Sequence, residues 1–170
     1  MAQNKGRKFE LSLCNDIYDA TDESLIPEPV GYSGNHTLPA PDIHIDDGGK
    51  VHAIELKRTA RDQVSLYYDD DDYQKDDLKQ LITYCENHPR LAVPYIGVRF
   101  DNRQLLLIKL WLEAPMDEAV VRSAESLAPV DTVGYTRAGN ISVRKPSLDE
   151  WKSASSGDDV EHILETIGYL

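Results

Sequence analysis

The sequence predicts an α/β domain in which helices pack against strands paired in hairpins. Apolar residues recur with a helical period in two segments, one near the N-terminus and one around residue 80. Two pairs of short apolar or alternating runs bracket Asp-, Gly- and Asn-containing turns. At 170 residues the chain can bury one substantial core but not two ordinary domains.

The elements follow in order. From Lys8 to Asp19, Phe9, Leu13, Cys14, Ile17 and Tyr18 fall on one helical stripe, and Glu10 shares its edge. Residues 21 to 41 carry Pro27, Pro29, Gly31, Gly34, Pro39 and Pro41 and read as loop throughout. Asp42 to Asp46 and Val51 to Lys57 flank Asp47-Gly48-Gly49-Lys50 as a first hairpin, and Gln63 to Tyr68 is a candidate third strand. Asp69 to Asp72 reads as a solvated acidic loop. A second helix runs from Lys75 to Asn87, with Leu78, Leu81, Ile82 and Cys85 on its apolar face. A second hairpin joins Pro94–Phe100 to Gln104–Leu112 around Asp101-Asn102-Arg103. Beyond Pro115 the pattern weakens to a helix over Asp117–Leu127, a strand over Asn140–Arg144 and a terminal helix over Gly157–Ile167. The expected division is a core over 1–112, an insertion or extension over 113–138, and a late strand and C-terminal helix over 139–170.

Composition narrows the class. The longest apolar stretch, Leu105 to Leu112, is interrupted by Lys109 and falls well short of the roughly 20 residues a membrane helix needs. The basic N-terminus is followed by no apolar leader core, so a cytoplasmic protein with no membrane partner is expected. Thirty acidic against 18 basic residues give a net charge of −12, which at face value speaks against a nucleic-acid partner. However, 19 of the acids are Asp and only nine of the cations are Lys. An Asp-rich, Lys-poor surface is expected of a halophilic protein, because in concentrated salt net charge says little about partners. Cys14 and Cys85 sit at apolar positions of separate helices, which excludes a disulfide framework and a cysteine-rich metal site.

The first hairpin carries the chemistry. A two-residue loop at Gly48-Gly49 sets Asp42 opposite Glu55, with Cβ atoms about 4.5–5.5 Å apart. Strand alternation puts Lys57 on the same face, while Ile43, Ile54 and Leu56 point to the other. Like charges so placed repel, and a hard divalent cation is the natural compensation: Mg²⁺ takes one or two carboxylates and several waters. Lys57 would then stand beside the attacking water or offset charge in the transition state. The plainer reading is an acidic hairpin with a surface Glu–Lys pair.

Pro41-Asp42 followed by Glu55-Leu56-Lys57 is the PD-(D/E)xK nuclease signature, and its surroundings resemble the archaeal Holliday junction resolvases. Lys5-Gly6-x-x-Phe9-Glu10-Leu11 resembles their N-terminal helix, Tyr32-Ser33-Gly34 their serine loop, Ile54-Glu55-Leu56-Lys57-x-Thr59 their metal strand, and Pro94–Phe100 their next core strand. Asn140-Ile141-Ser142-Val143 resembles a displaced late strand. The resemblance implies a restriction-endonuclease-like fold, a central mixed β-sheet flanked by helices. It implies an endonuclease that resolves four-way DNA junctions with Mg²⁺, for which Mn²⁺ substitutes, and with no organic cofactor. Asp42 and Glu55 would bind the metal with Glu10 projecting into the same site, Lys57 would assist the attacking water, and Ser33 would approach from a loop. Lys5, Arg7, Lys8, Arg58 and Arg61, with Arg99 and Arg103, are candidate phosphate contacts. Two symmetric nicks imply a C2 homodimer, for which the Leu105–Leu112 face is a candidate surface, and a DNA substrate implies association with the nucleoid. Gln80 and Tyr84 resemble a Gln-x-x-x-Tyr pair that other nucleases carry beside the metal, although helix-surface packing explains them as well. Another nuclease with the same signature, such as a restriction or RecB-like repair enzyme, and a non-cleaving junction-binding paralogue remain alternatives.

Overall fold

A six-stranded mixed sheet organises the fold in the computed structural model, which describes residues 2–30, 40–67, 76–101, 105–112, 121–126, 133–135, 141–149 and 158–170. In chain order the elements are α1 (Ala2–Ala20), β1 (Ile26–Pro29), β2 (Ile43–Asp46), β3 (Val51–Thr59), β4 (Gln63–Leu66), α2 (Asp77–Asn87), β5 (Ala92–Phe100), β6 (Leu105–Leu112), β7 (Val121–Ser126), β8 (Val133–Tyr135), β9 (Ile141–Arg144) and α3 (Asp159–Thr166). The large sheet has the order β1-β2-β3-β5-β6-β7, with β3 and β5 parallel and every other pair antiparallel. A second, three-stranded sheet has the order β4-β9-β8. This is the expected α/β class with a mixed sheet flanked by helices.

Strand alternation divides the core between the two faces of the large sheet. One face packs Ala53, Ile96, Val98, Leu106 and Ile108 against α2 residues Leu78, Leu81, Ile82 and Cys85 and against Ile141 and Val143 of the small sheet. The other packs Ile43, Ile45, Ile54, Tyr95, Leu105 and Leu107 against Leu13, Cys14 and Ile17 of α1 and Ile163 and Leu164 of α3. The strands β3 and β5 meet closely at Gly97, where an added Cβ would lie 2.7 Å from Leu56 Cδ2. A larger residue there would require the end of the Leu56 side chain to shift.

Several expectations change. The first helix begins at Ala2 rather than Lys8, because its first turns are polar and contain Gly6, so apolar periodicity could not reveal them. Residues 21–41 are not loop throughout: Ile26–Pro29 forms β1 despite two prolines, which an edge strand tolerates because its outer N–H groups need no partner. The third strand forms, but in the small sheet with β9. Where a helix was expected over Asp117–Leu127, Val121–Ser126 is instead an extended edge strand on β6. Sheet pairing overrides the weak local preference of this segment.

The Leu105–Leu112 face does not serve as a dimer surface either. Leu105, Leu106, Leu107, Ile108 and Leu110 are buried within the chain itself, because helices or the small sheet cover both faces of β6. Among the described residues β7 pairs with Ile108–Leu112, and α3 side chains reach the edge nearer Leu105. Leu105 N–H donates to Asp159 Oδ1 at 2.6 Å, and Leu107 N–H donates to His162 Nε2 at 2.9 Å. Cys14 and Cys85 are buried thiols on opposite faces. No helix among the described residues is long and apolar enough to cross a membrane.

Candidate active site

The first hairpin has the two-residue loop that its Gly-Gly pair suggests. Asp47 N–H donates to Lys50 C=O, Gly48 takes φ +87°, and Asp47 Oδ1 accepts from the N–H groups of Gly49 and Lys50. A side chain other than glycine would be strained at that positive φ. The turn is anchored from inside: Asp47 Oδ2 meets the buried His52 Nε2 at 2.7 Å, and His52 Nδ1 meets Tyr95 OH at 3.0 Å. Ladder pairing runs from Asp46↔Val51 to Ile43↔Ile54, a register that brings Asp42 opposite Glu55.

Regular pairing stops there, and the Asp42 side chain replaces it. Its Oδ2 accepts the Leu56 N–H at 2.7 Å, while its backbone C=O accepts from Val30 N–H just beyond β1. This leaves Oδ1 for a ligand. Glu55 and Lys57 project from the α2 side of β3, and Lys57 Nζ donates to Glu55 Oε1 at 2.9 Å and to Asp77 Oδ1 at 2.9 Å.

The electrostatics of this cluster are unusual. Burial first, and then the charge of Asp42, push the Glu55 carboxyl up to about 7. Asp42 is also raised, chiefly by burial, although the Leu56 N–H and Lys57 oppose the shift. Burial works against the charge on Lys57, yet Glu55 and Asp77 outweigh it and raise the ammonium above its ordinary value. Glu10, half-buried on α1, is raised by burial and then by Asp42, against a smaller opposing effect of Arg7. It therefore feels the same cluster from a different element.

Two buried carboxylates that hold their protons too tightly, beside a fixed ammonium, form a donor set that fits a hard divalent cation, which completes its shell with water. Among the described residues no group of three His, Cys, Asp or Glu side chains is gathered as a ready-made metal site.

The remaining candidates are more scattered. Lys5, Arg7 and Lys8 lie on α1, where Arg7 and Lys8 are exposed. Arg58 and Arg61 are exposed at and beyond the end of β3, with Arg58 Nε 3.8 Å from Asp101 Oδ1. Arg99 is committed to an ion pair with Asp159. Ser33 and Arg103 lie outside the described residues. Gln80 bonds Asp76 at 2.6 Å and Tyr84 bonds His44 Nδ1 at 3.0 Å.

The sequence reading missed Asp77. Two acids at a helix start read as favourable helix-dipole chemistry, and only the crossover between β3 and β5 carries the α2 N-terminus to Lys57. The Asp76-Asp77 pair directly before the Leu78 period is the one signal that could have pointed to it.

The chain is similar to known proteins. The family described as archaeal Holliday junction resolvase (Hjc) matches residues 1–138. No curated protein matches the sequence. Among solved structures, the 1.6 Å structure of Archaeoglobus fulgidus Hjc, a Holliday junction resolvase from an archaeal hyperthermophile, is similar at 18% identity with a TM-score of 0.53, over 85% of this chain and 89% of that one. At that identity the likeness establishes the fold. With the family match spanning 138 of 170 residues, the chain belongs to the archaeal Holliday junction resolvase family and is a junction-resolving endonuclease.

Proposed function

We propose that the chain cuts four-way DNA junctions by Mg²⁺-dependent phosphodiester hydrolysis, with Mn²⁺ able to substitute and no organic cofactor, as a cytoplasmic, nucleoid-associated homodimer of a halophilic cell or its virus. The observation that carries this reading is the largely buried Asp42–Glu55 pair, whose surroundings raise both carboxyls, flanked by Lys57. Asp42 and Glu55 would hold the ion, and Glu10 would add its charge from α1. A divalent ion there supplies a water made acidic enough to attack near neutral pH and offsets charge on the scissile phosphate. The Leu56 N–H fixes the Asp42 carboxylate. Lys57 brings a fixed positive charge to the place where the attacking oxygen and the phosphate gain negative charge, and this stabilises the transition state more than the ground state.

Phosphate contacts would come from Lys5, Arg7, Lys8, Arg58 and Arg61, and Ser33 would approach the scissile strand from its loop. Residues 1–112 would form the nuclease core, with 113–138 extending it and 139–170 packing the late strand and C-terminal helix on it. Symmetric nicking needs two such sites related by a two-fold axis.

The test compares a synthetic four-way junction with linear duplex of the same arm sequence. Junction cleavage that is far faster, requires Mg²⁺, and disappears in Asp42→Asn and Glu55→Gln while junction binding persists is the expected result. Equal cleavage of both substrates would favour a restriction or repair nuclease. Junction binding without cleavage in any divalent metal would favour a non-cleaving paralogue.

A further inference from the structure

We propose that Asp77, at the start of α2, is the positioning residue that keeps Lys57 in place when Glu55 turns to the metal. This inference rests on the reading of Lys57 and Glu55 given above. The Lys57 ammonium is gripped by two carboxylates, Glu55 Oε1 and Asp77 Oδ1, each at 2.9 Å. A carboxylate oxygen that ligates a divalent ion gives up much of its capacity as an acceptor, so the Glu55 half of the grip weakens in the state that matters for cleavage.

A lysine chain has four rotatable methylenes and loses little on swinging away. Asp77 prevents this from a different element. It is the first residue of α2, and the helix behind it is locked onto the sheet by Leu78, Leu81, Ile82 and Cys85. The N–H of Leu78, next to Asp77, donates to Tyr67 C=O at 3.1 Å, which ties this end of the helix to the chain just beyond β4. Asp77 therefore carries the rigidity of the α2 packing to the ammonium. Misplacing a catalytic group by about 1 Å costs on the order of 100-fold in rate. Asp77 bonds Lys57 directly, and its charge also acts on Asp42 and Glu55.

Two measurements test this. In metal-free protein, the Lys57 Nζ ammonium resonance of ¹⁵N-lysine-labelled protein reports whether that group is held. It should persist in Glu55→Ala, where Asp77 alone remains, and disappear in Glu55→Ala combined with Asp77→Ala. In Mg²⁺, Asp77→Ala should lower the single-turnover rate of junction cleavage by about 10–100-fold with junction affinity unchanged. Asp77→Asn, which keeps an oxygen acceptor and leaves the helix start intact, should recover part of that loss.

Loss of the resonance in Glu55→Ala alone, or cleavage by Asp77→Ala at the parental rate, would overturn the proposal for Asp77. If Asp77→Ala fails to fold, Asp77→Asn decides: a rate below the parent's supports the grip, and a parental rate refutes it. Parental cleavage by Lys57→Ala would refute the underlying role of Lys57, and is distinguishable because Asp77 variants are then judged by the resonance alone.

Discussion

Replacing Glu55 by Gln is expected to abolish cleavage and, at the same time, to stabilise the metal-free protein. The side chain is 15% exposed, and its carboxyl is raised from 4.5 to about 7 by burial and the nearby Asp42. Each pH unit of such a difference corresponds to about 1.4 kcal/mol, so the charged form of Glu55 destabilises the fold by about 3 kcal/mol at alkaline pH. The folded state holds this proton to higher pH than the unfolded chain does. Stability therefore falls as pH rises from 4.5 towards 7, and the penalty is complete above that range.

Gln removes the charge while keeping the shape and an acceptor for Lys57. With about 2–4 °C per kcal/mol for a domain of this size, Glu55→Gln should raise Tm by about 5–10 °C at pH 8 in EDTA and by almost nothing at pH 4.5. Calorimetry at the two pH values measures this. Adding Mg²⁺ should raise the Tm of the parent more than that of the variant, because ligand binding to the folded state alone stabilises it. An unchanged or lower Tm for Glu55→Gln at pH 8 in EDTA would show that Glu55 is not held against its electrostatics, and would remove the argument for a metal at this pair.

His162 is 1% exposed, its Nε2 accepts the Leu107 N–H, and burial lowers its pKa to about 4, so its neutral form is required in the fold. This contribution of about 3 kcal/mol is present above pH 6.5 and is lost as pH falls towards 4. Denaturant midpoints at pH 7 and 4.5 should show the loss, and an imidazole at this position titrating near 6.5 would contradict it. Light scattering under cleavage conditions should give twice the 19.1 kDa chain mass, and a single-chain mass would exclude a two-site nuclease in solution. Junction cleavage should persist in molar KCl, whereas loss of activity above about 0.2 M would mark an ordinary counterion-release binder and refute the halophilic reading.

Local chemistry made much of this protein legible before any fold was known. The spacing of Leu78, Leu81, Ile82 and Cys85 defines the buried face of α2 because a helix repeats every 3.6 residues whatever surrounds it. The Asp47-Gly48-Gly49-Lys50 turn sets the hairpin register because two-residue loops leave little choice of pairing, and that register alone brings Asp42 opposite Glu55 with Lys57 on the same face. Short-range rules are silent about what depends on distant partners. Ile26–Pro29 becomes a strand only because β2 offers it an edge, and Val121–Ser126 only because β6 does. Leu105–Leu112 reads as a surface for a second subunit until the helices and the small sheet are seen to cover both of its faces. Asp77 lies 20 residues from Lys57 in the chain and reaches it solely through the crossover between β3 and β5. The sequence by itself determined which carboxylates confront each other across one turn, because turn geometry is local; the tertiary structure decided what holds Lys57 from its other side, because the Asp77 contact is made by packing α2 onto the sheet.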